Sequence, residues 1–213
     1  GAGWNEINMS RDCEYYIKTT SSPGNPLTYT LHEDDGTQVR MLEENEVLEQ
    51  KLSEYAMPSK EYIKIPLEQA ELNGYIMRPS DFNPDKKYPT LFYVYGGPGS
   101  QTVTKSFSSG QRAMWHKYIA EQDYVVVSID NRGTGARGRD FEKQIYKKLG
   151  QYEVVDQIDA AKYLTETYDF IDKDRPHRRL RAKLFMVANV AGLMQYILGH
   201  GKGPNLFITC PAH

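Results

Sequence analysis

At 213 residues the chain has room for one large domain, or for one domain and part of another, and its 39% hydrophobic content allows a core of moderate size. A formal net charge of −2 argues against nucleic acid as a main partner, because phosphate binding needs a basic surface. No apolar run approaches the roughly 18 residues of a membrane span, and the opening Gly1-Ala-Gly-Trp-Asn-Glu6 has neither the basic nor the apolar region of a signal peptide.

The first residue is not Met, so the chain is expected to begin inside a longer protein. Cys13-Glu-Tyr-Tyr-Ile-Lys-Thr-Thr20, Leu27-Thr-Tyr-Thr-Leu31 and Gln38-Val-Arg-Met-Leu42 read as short antiparallel strands. The cluster Ser21–Pro26 and the tripeptide Asp34-Asp-Gly36 supply the turns between them. Three strands cannot bury both faces, so this piece reads as incomplete. Asn45 is expected to cap a short helix running to Lys51 or Leu52, with Val47, Leu48 and Leu52 on its apolar side. Met57-Pro-Ser59 marks a boundary.

From Lys60 the pattern changes. Tyr62–Ile65 and Leu72–Met77 read as a β-pair, and Pro79–Lys87 as a polar loop. Pro89–Tyr95 and Tyr124–Ile129 are apolar on both faces, as central strands are. A helix is expected over Phe107–Glu121. A second, amphipathic one is marked by Val154, Ile158, Ala161, Leu164 and Tyr168. Strands alternating with helices imply a mostly parallel sheet, hence an α/β class.

Two Gly-rich turns follow the two apolar strands. Gly96-Gly-Pro-Gly99 permits a sharp turn and close approach of a ligand, and in acyl-transfer enzymes such a place gathers donors for a tetrahedral oxyanion, with the Tyr95 phenol as one candidate. A plain strand-to-loop turn accounts for the same residues. In Asp130-Asn-Arg-Gly-Thr-Gly135, Asp130 and Arg132 are expected to pair and pin the loop; the full dinucleotide fingerprint is absent. His32, His116, His177, His200 and His213 lack metal-ligand spacing, so neither metal nor cofactor is expected. Cys13 and Cys210 say little about redox compartment.

Six blocks taken together resemble the prolyl oligopeptidase family, and most closely its dipeptidyl peptidase IV-like serine exopeptidases. They are Asn25–His32, Met57–Lys60, Lys87–Pro89, Tyr93–Gln101, Asp130–Gly135 and Leu149–Ile158, in the family's order, within a match from about Cys13 to Asp174. The resemblance implies the end of a β-propeller and a linker helix over 1–56, and the first half of an α/β-hydrolase domain over 57–175. It implies removal of N-terminal dipeptides with Pro or Ala at the second position, so a peptide is the expected partner. Tyr95 falls on the family's oxyanion tyrosine, with Gly96, Gly97, Asp130 and Arg132 as the surrounding loop. Intact relatives are expected to be homodimeric and to be periplasmic, secreted or membrane-anchored.

The resemblance stops at Arg175. There the family continues with a strand and a Gly-x-Ser-Tyr-Gly-Gly elbow, whereas this chain reads Pro176-His-Arg-Arg-Leu-Arg-Ala-Lys183, and no serine follows Ser128. None of the family's Ser, Asp and His triad is therefore expected in this chain. A one-base shift from Pro176 lets the straddling codons spell Arg-Ile-Gly-Val-Tyr-Gly-Gln-Ser-Tyr, so 176–213 is expected to be a frameshift product and its basic run to carry no function. The apolar segment 186–198 has the composition of a helix that covers the unfinished sheet. Two other functions stay open: a hydrolase scaffold that binds without catalysis, and a proline iminopeptidase-like hydrolase.

Overall fold

The computed structural model describes residues 3–55, 57–108 and 110–172, together with the backbone of 184–188. It divides into two compact units, Gly1–Ser59 with Thr104–Lys117, and Lys60–Val103 with Tyr118–His213. Among the described residues no helix is long and apolar enough to cross a membrane.

The first unit is a four-stranded antiparallel sheet in the order β1-β2-β3-β4: Trp4–Met9, Tyr15–Ser22, Asn25–Glu33 and Gln38–Glu43. Three of these strands follow from β-branched and aromatic runs between turn residues. The first, β1, does not: its residues are all exposed, and its order comes from pairing with β2, Trp4 opposite Ser21 through Met9 opposite Tyr16. Cys13 takes a left-handed φ of 61°, so β2 starts two residues later than the expected strand. The Asp34-Asp-Gly36 turn forms as expected, with Gly36 at φ 92° and its N–H donating to Glu33 O at 3.0 Å. Helix α1 spans Glu46–Ser53, but Asn45 does not cap it with its side chain. Asn45 sits at φ 60°, and its Nδ2 donates instead to Leu27 O at 2.6 Å, tying the linker to β3. The expected apolar side of α1 is unburied here, with Val47 68% exposed.

The second unit holds a five-stranded mixed sheet in the order β5-β6-β8-β7-β9. Its strands are β5 Lys60–Pro66, β6 Glu71–Met77, β7 Thr90–Val94, β8 Val125–Asp130 and β9 Leu184–Ala188. β5, β6 and β8 pair antiparallel; β8, β7 and β9 run parallel. Every residue of β7 and β8 is buried, which is what a run apolar on both faces demands. Phe92, Val94, Val125, Val127 and Ile129 point into one core with Val154 and Leu164 of α4 (Tyr152–Thr167), while Leu91 and Val126 enter the opposite core with Ala120. Ala120 belongs to α2, Gln111–Glu121, and a short helix, α3, spans Arg139–Glu142 before α4. Helix α2 begins four residues after the expected Phe107, because Gly110 at φ 88° lies outside helical space.

Two expectations for the later elements are corrected. Ile158 is 38% exposed, whereas Asp156, Gln157 and Ala160 are buried, so α4 turns a partly polar face inward; Tyr168 is extended and ends the helix. Residues 186–188, expected to begin a helix, lie in β9, whose five residues pair with β7 from Thr90 opposite Leu184 to Val94 opposite Ala188. A parallel partner satisfies backbone groups of β7 that would otherwise form an open edge. The remainder of 186–198, and Pro176–Lys183, lie outside the described residues.

Candidate active site

Because β7 and β8 are parallel neighbours, with Tyr93 opposite Ser128, their carboxyl ends deliver two loops side by side. The first loop, 95–103, is held at its far end by Asp130, the last residue of β8. One carboxylate oxygen accepts Thr102 N–H at 2.9 Å and Thr102 Oγ1–H at 2.7 Å, and the other accepts Val103 N–H at 3.1 Å. Ser128 donates from Oγ to Tyr93 O at 3.0 Å, tying β8 to the end of β7. Along their middles the loops exchange backbone bonds, Gly99 N–H to Gly133 O at 3.1 Å and Gly135 N–H to Ser100 O at 3.0 Å.

Glycine is required at the near end. Gly96 takes φ 65°, and a methyl there would lie 3.0 Å from Asn131 Oδ1. At Gly97 a methyl would lie 3.1 Å from Tyr95 Cε1, so the tyrosine ring rests against the turn. Tyr95 is 36% exposed directly after five buried strand residues. The strand end thus delivers one phenol to solvent at the mouth of the sheet.

The expected Asp130–Arg132 pair does not form. Asp130 is taken up by the donors of the first loop, while Arg132 turns toward α4 and pairs with Asp156, Nη2 to Oδ1 at 2.7 Å. Arg132 Nε donates to both carboxylate oxygens at 3.0 Å, and the Arg132 backbone N–H reaches Oδ2 at 2.8 Å. The guanidinium also stacks 4.4 Å from the Tyr152 ring centre. A hydrogen bond from Lys148 Nζ at 3.0 Å, then the positive charges of Lys148 and Arg132, hold the Tyr152 phenol below its ordinary value.

Tyr95, Gly96, Gly97 and Asp130 are therefore brought together in one loop pair, and Arg132 braces that pair from the helix side. Asn131, Thr102, Ser128, Asp156 and Gln157 also build it and were not singled out from sequence. Asp156 and Gln157 do fall within the block Leu149–Ile158, where they and Glu153 are the polar residues on the buried side of α4.

Residues 111–177 match the prolyl oligopeptidase family. An Emericella nidulans protein named "Probable dipeptidyl peptidase 4" is 38% identical over 172 residues, 79% of this chain and 22% of its own length. A Coccidioides posadasii protein named "Probable dipeptidyl-aminopeptidase B" is 38% identical over 164 residues, 76% of this chain and 17% of its own length. Among solved structures, Porphyromonas gingivalis dipeptidyl peptidase 4 superposes with a TM-score of 0.77 at 35% identity, covering 87% of this chain and 25% of that one. The chain is thus related to the prolyl oligopeptidase family and similar to its dipeptidyl peptidases, spanning about a fifth of the length of these curated relatives. The fold class is α/β: part of an α/β-hydrolase sheet, preceded by strands of a β-propeller.

Proposed function

We propose that this chain carries the oxyanion-binding part of a serine-type peptidase of the dipeptidyl peptidase IV kind, and that its 213 residues alone are inactive. Such an enzyme releases N-terminal dipeptides, with Pro or Ala second, through an acyl-enzyme. The observation that carries this reading is the exposed Tyr95 phenol on a turn clamped at both ends. Attack on a scissile carbonyl places negative charge on its oxygen. A donor already aimed at that oxygen lowers the barrier, because nothing has to reorganise as the charge develops. A phenolic O–H is such a donor. Gly96 and Gly97 let the turn close against Asn131 and the Tyr95 ring, and Asp130 and Arg132 hold the two loops in place.

The proposed inactivity is supported by what these 213 residues lack. No serine follows Ser128, and Ser128 itself is buried with its hydroxyl committed to Tyr93 O. Without a nucleophile, oxyanion and binding effects supply only the residual part of the rate. The test joins an assay to a sequence. The 213-residue chain is expected to release no chromophore from an Xaa-Pro anilide, and codons 170–200 are expected to show an insertion or deletion that restores Gly-x-Ser-Tyr-Gly-Gly. In the restored protein, Tyr95→Phe should lower kcat by about 10²–10³-fold, as loss of one oxyanion donor does. Turnover by the 213-residue chain, or full activity of the restored Tyr95→Phe protein, would sink the proposal.

The pairing of β9 with β7 favours a second reading, a hydrolase scaffold that binds peptides without cleaving them, since the sheet continues past β7 in the sequence as it stands. Intact codons over 170–200, with binding of an Xaa-Pro peptide and no turnover, would select it.

A further inference from the structure

A run of buried carboxamides links α4 to the turn that bears Tyr95. We propose that Gln157 is a positioning residue for the Tyr95 phenol, acting through the Asn131 carboxamide on the Gly96 turn; this deepens the oxyanion reading and rests on it. Gln157 and Asn131 are both buried. Gln157 Nε2 donates to Asn131 Oδ1 at 3.0 Å and to Ile129 O at 2.9 Å. With its acceptor end held there, Asn131 must turn its Nδ2 the other way, where it donates to Arg132 O at 2.7 Å and to Gly96 O at 3.4 Å.

The polarity of one amide fixes the other. Were the Asn131 carboxamide reversed, its NH₂ would face the NH₂ of Gln157, and its oxygen would face two carbonyl oxygens. Both ends would lose their bonds inside the protein, where water cannot replace them. Gln157 therefore selects the one Asn131 orientation that grips Gly96. The Gly96 turn carries Tyr95 directly, because the Tyr95 ring rests on Gly97 and Asn131 itself packs where a Gly96 side chain would stand. Gln157 Oε1 is buried without a hydrogen-bond partner. Burying an unpaired acceptor is unfavourable, and an apolar side chain of similar size would avoid it. Keeping an amide at this position is what a need for its donor end predicts.

The 213-residue protein labelled with 3-fluorotyrosine gives the readout, with the Tyr95 fluorine signal assigned by Tyr95→Phe. Gln157→Met keeps the volume and removes the donor. Its Tyr95 signal should shift or split, and amide exchange at Gly99 should quicken at least tenfold relative to amides of β5 and β6. Asn131→Ala should reproduce both effects. Leu164→Ala, a core truncation on the same helix, should lower the unfolding midpoint and leave the Tyr95 signal in place. If Gln157→Met behaves like Leu164→Ala, Gln157 is a core residue and the proposal falls. That outcome is separate from failure of the oxyanion reading, which shows as unchanged kcat in the restored Tyr95→Phe protein and leaves the fluorine spectra as they are.

Discussion

Asp156→Ala is the sharpest test of how the loop pair is held. The substitution removes the acceptor of four contacts from Arg132 and leaves a guanidinium buried without its carboxylate. Orphaning one member of a buried pair costs about 3–5 kcal/mol. Part of the charge remains stabilised by the Tyr152 face at 4.4 Å, a contact of roughly 0.5–2 kcal/mol. The expected loss for Asp156→Ala is therefore about 3 kcal/mol, near the low end of that range. Arg132→Ala removes the guanidinium but keeps the backbone N–H bond to Asp156 Oδ2, and should likewise cost about 3–4 kcal/mol. With a urea slope near 2 kcal/mol per molar, the Asp156→Ala midpoint should drop by about 1.5 M. The double variant Arg132→Ala/Asp156→Ala removes both charges and should cost clearly less than the sum of the single losses. Added salt should leave the Asp156→Ala loss almost unchanged, because screening acts weakly on buried pairs. The exposed Lys64–Glu71 pair, where Lys64 lowers the Glu71 carboxyl, should lose its small effect in salt. A loss below about 1 kcal/mol for Asp156→Ala, or strict additivity in the double variant, would refute the view that this pair is desolvated and braces the loops.

Gly133→Ala should destabilise by about 2–5 kcal/mol in a thermal melt, since Gly133 sits at φ 91° and a methyl would strike the Ile145 side chain. Gly24→Ala, with open space around it, should stay within about 0.5 kcal/mol. Burial pushes the Tyr75 phenol above its ordinary value, so the folded state holds that proton more tightly than the unfolded chain. Stability should be full below about pH 10 and fall as pH rises from there toward the folded value; Tyr75→Phe should flatten that fall in pH-dependent urea titrations. A chain ending at Asp172 lacks β9 and leaves β7 as a fully buried-type edge strand. It should aggregate in light scattering at concentrations where the 213-residue chain stays dispersed.

What was legible in the sequence was local. The apolar run Leu91–Val94 and the β-branched run Val125–Ile129 become central strands, because nothing but two-sided burial suits them. Gly36 and Gly96 take left-handed conformations that their neighbours in sequence require. What escaped was set at a distance. β1 has no apolar stripe of its own and is ordered by β2. Asn45 looked like a cap because of its position, but its amide found Leu27 O, eighteen residues away. Arg132 was matched with Asp130, two residues off, when its partner lay twenty-four residues on. Apolar spacing alone places Ile158 inward; the β8 carbonyl of Ile129 and the amide of Asn131 draw Gln157 inward instead.

The distribution of polar groups at the mouth of the sheet bears on function as well as on fold. A buried ion pair is weak support for stability, since desolvation offsets much of its attraction, and an apolar pair of equal volume often does as well. Asp130, Asn131, Arg132, Asp156 and Gln157 are all buried, and together their bonds tie the two loops that follow β7 and β8 to each other, to the end of β8 and to α4. Apolar packing would bury the same surface but would not fix the orientation of a loop backbone, because it lacks direction. Directional bonds do fix it, at the cost of some stability. A turn that merely reversed the chain would need none of them. The group left exposed at the end of this arrangement is the Tyr95 phenol. Rigid placement of one donor in front of an open face is what stabilising a transient negative charge requires. The same placement would persist in a chain without a nucleophile, so the loop pair should hold its geometry whether or not the codons after Asp174 restore a serine.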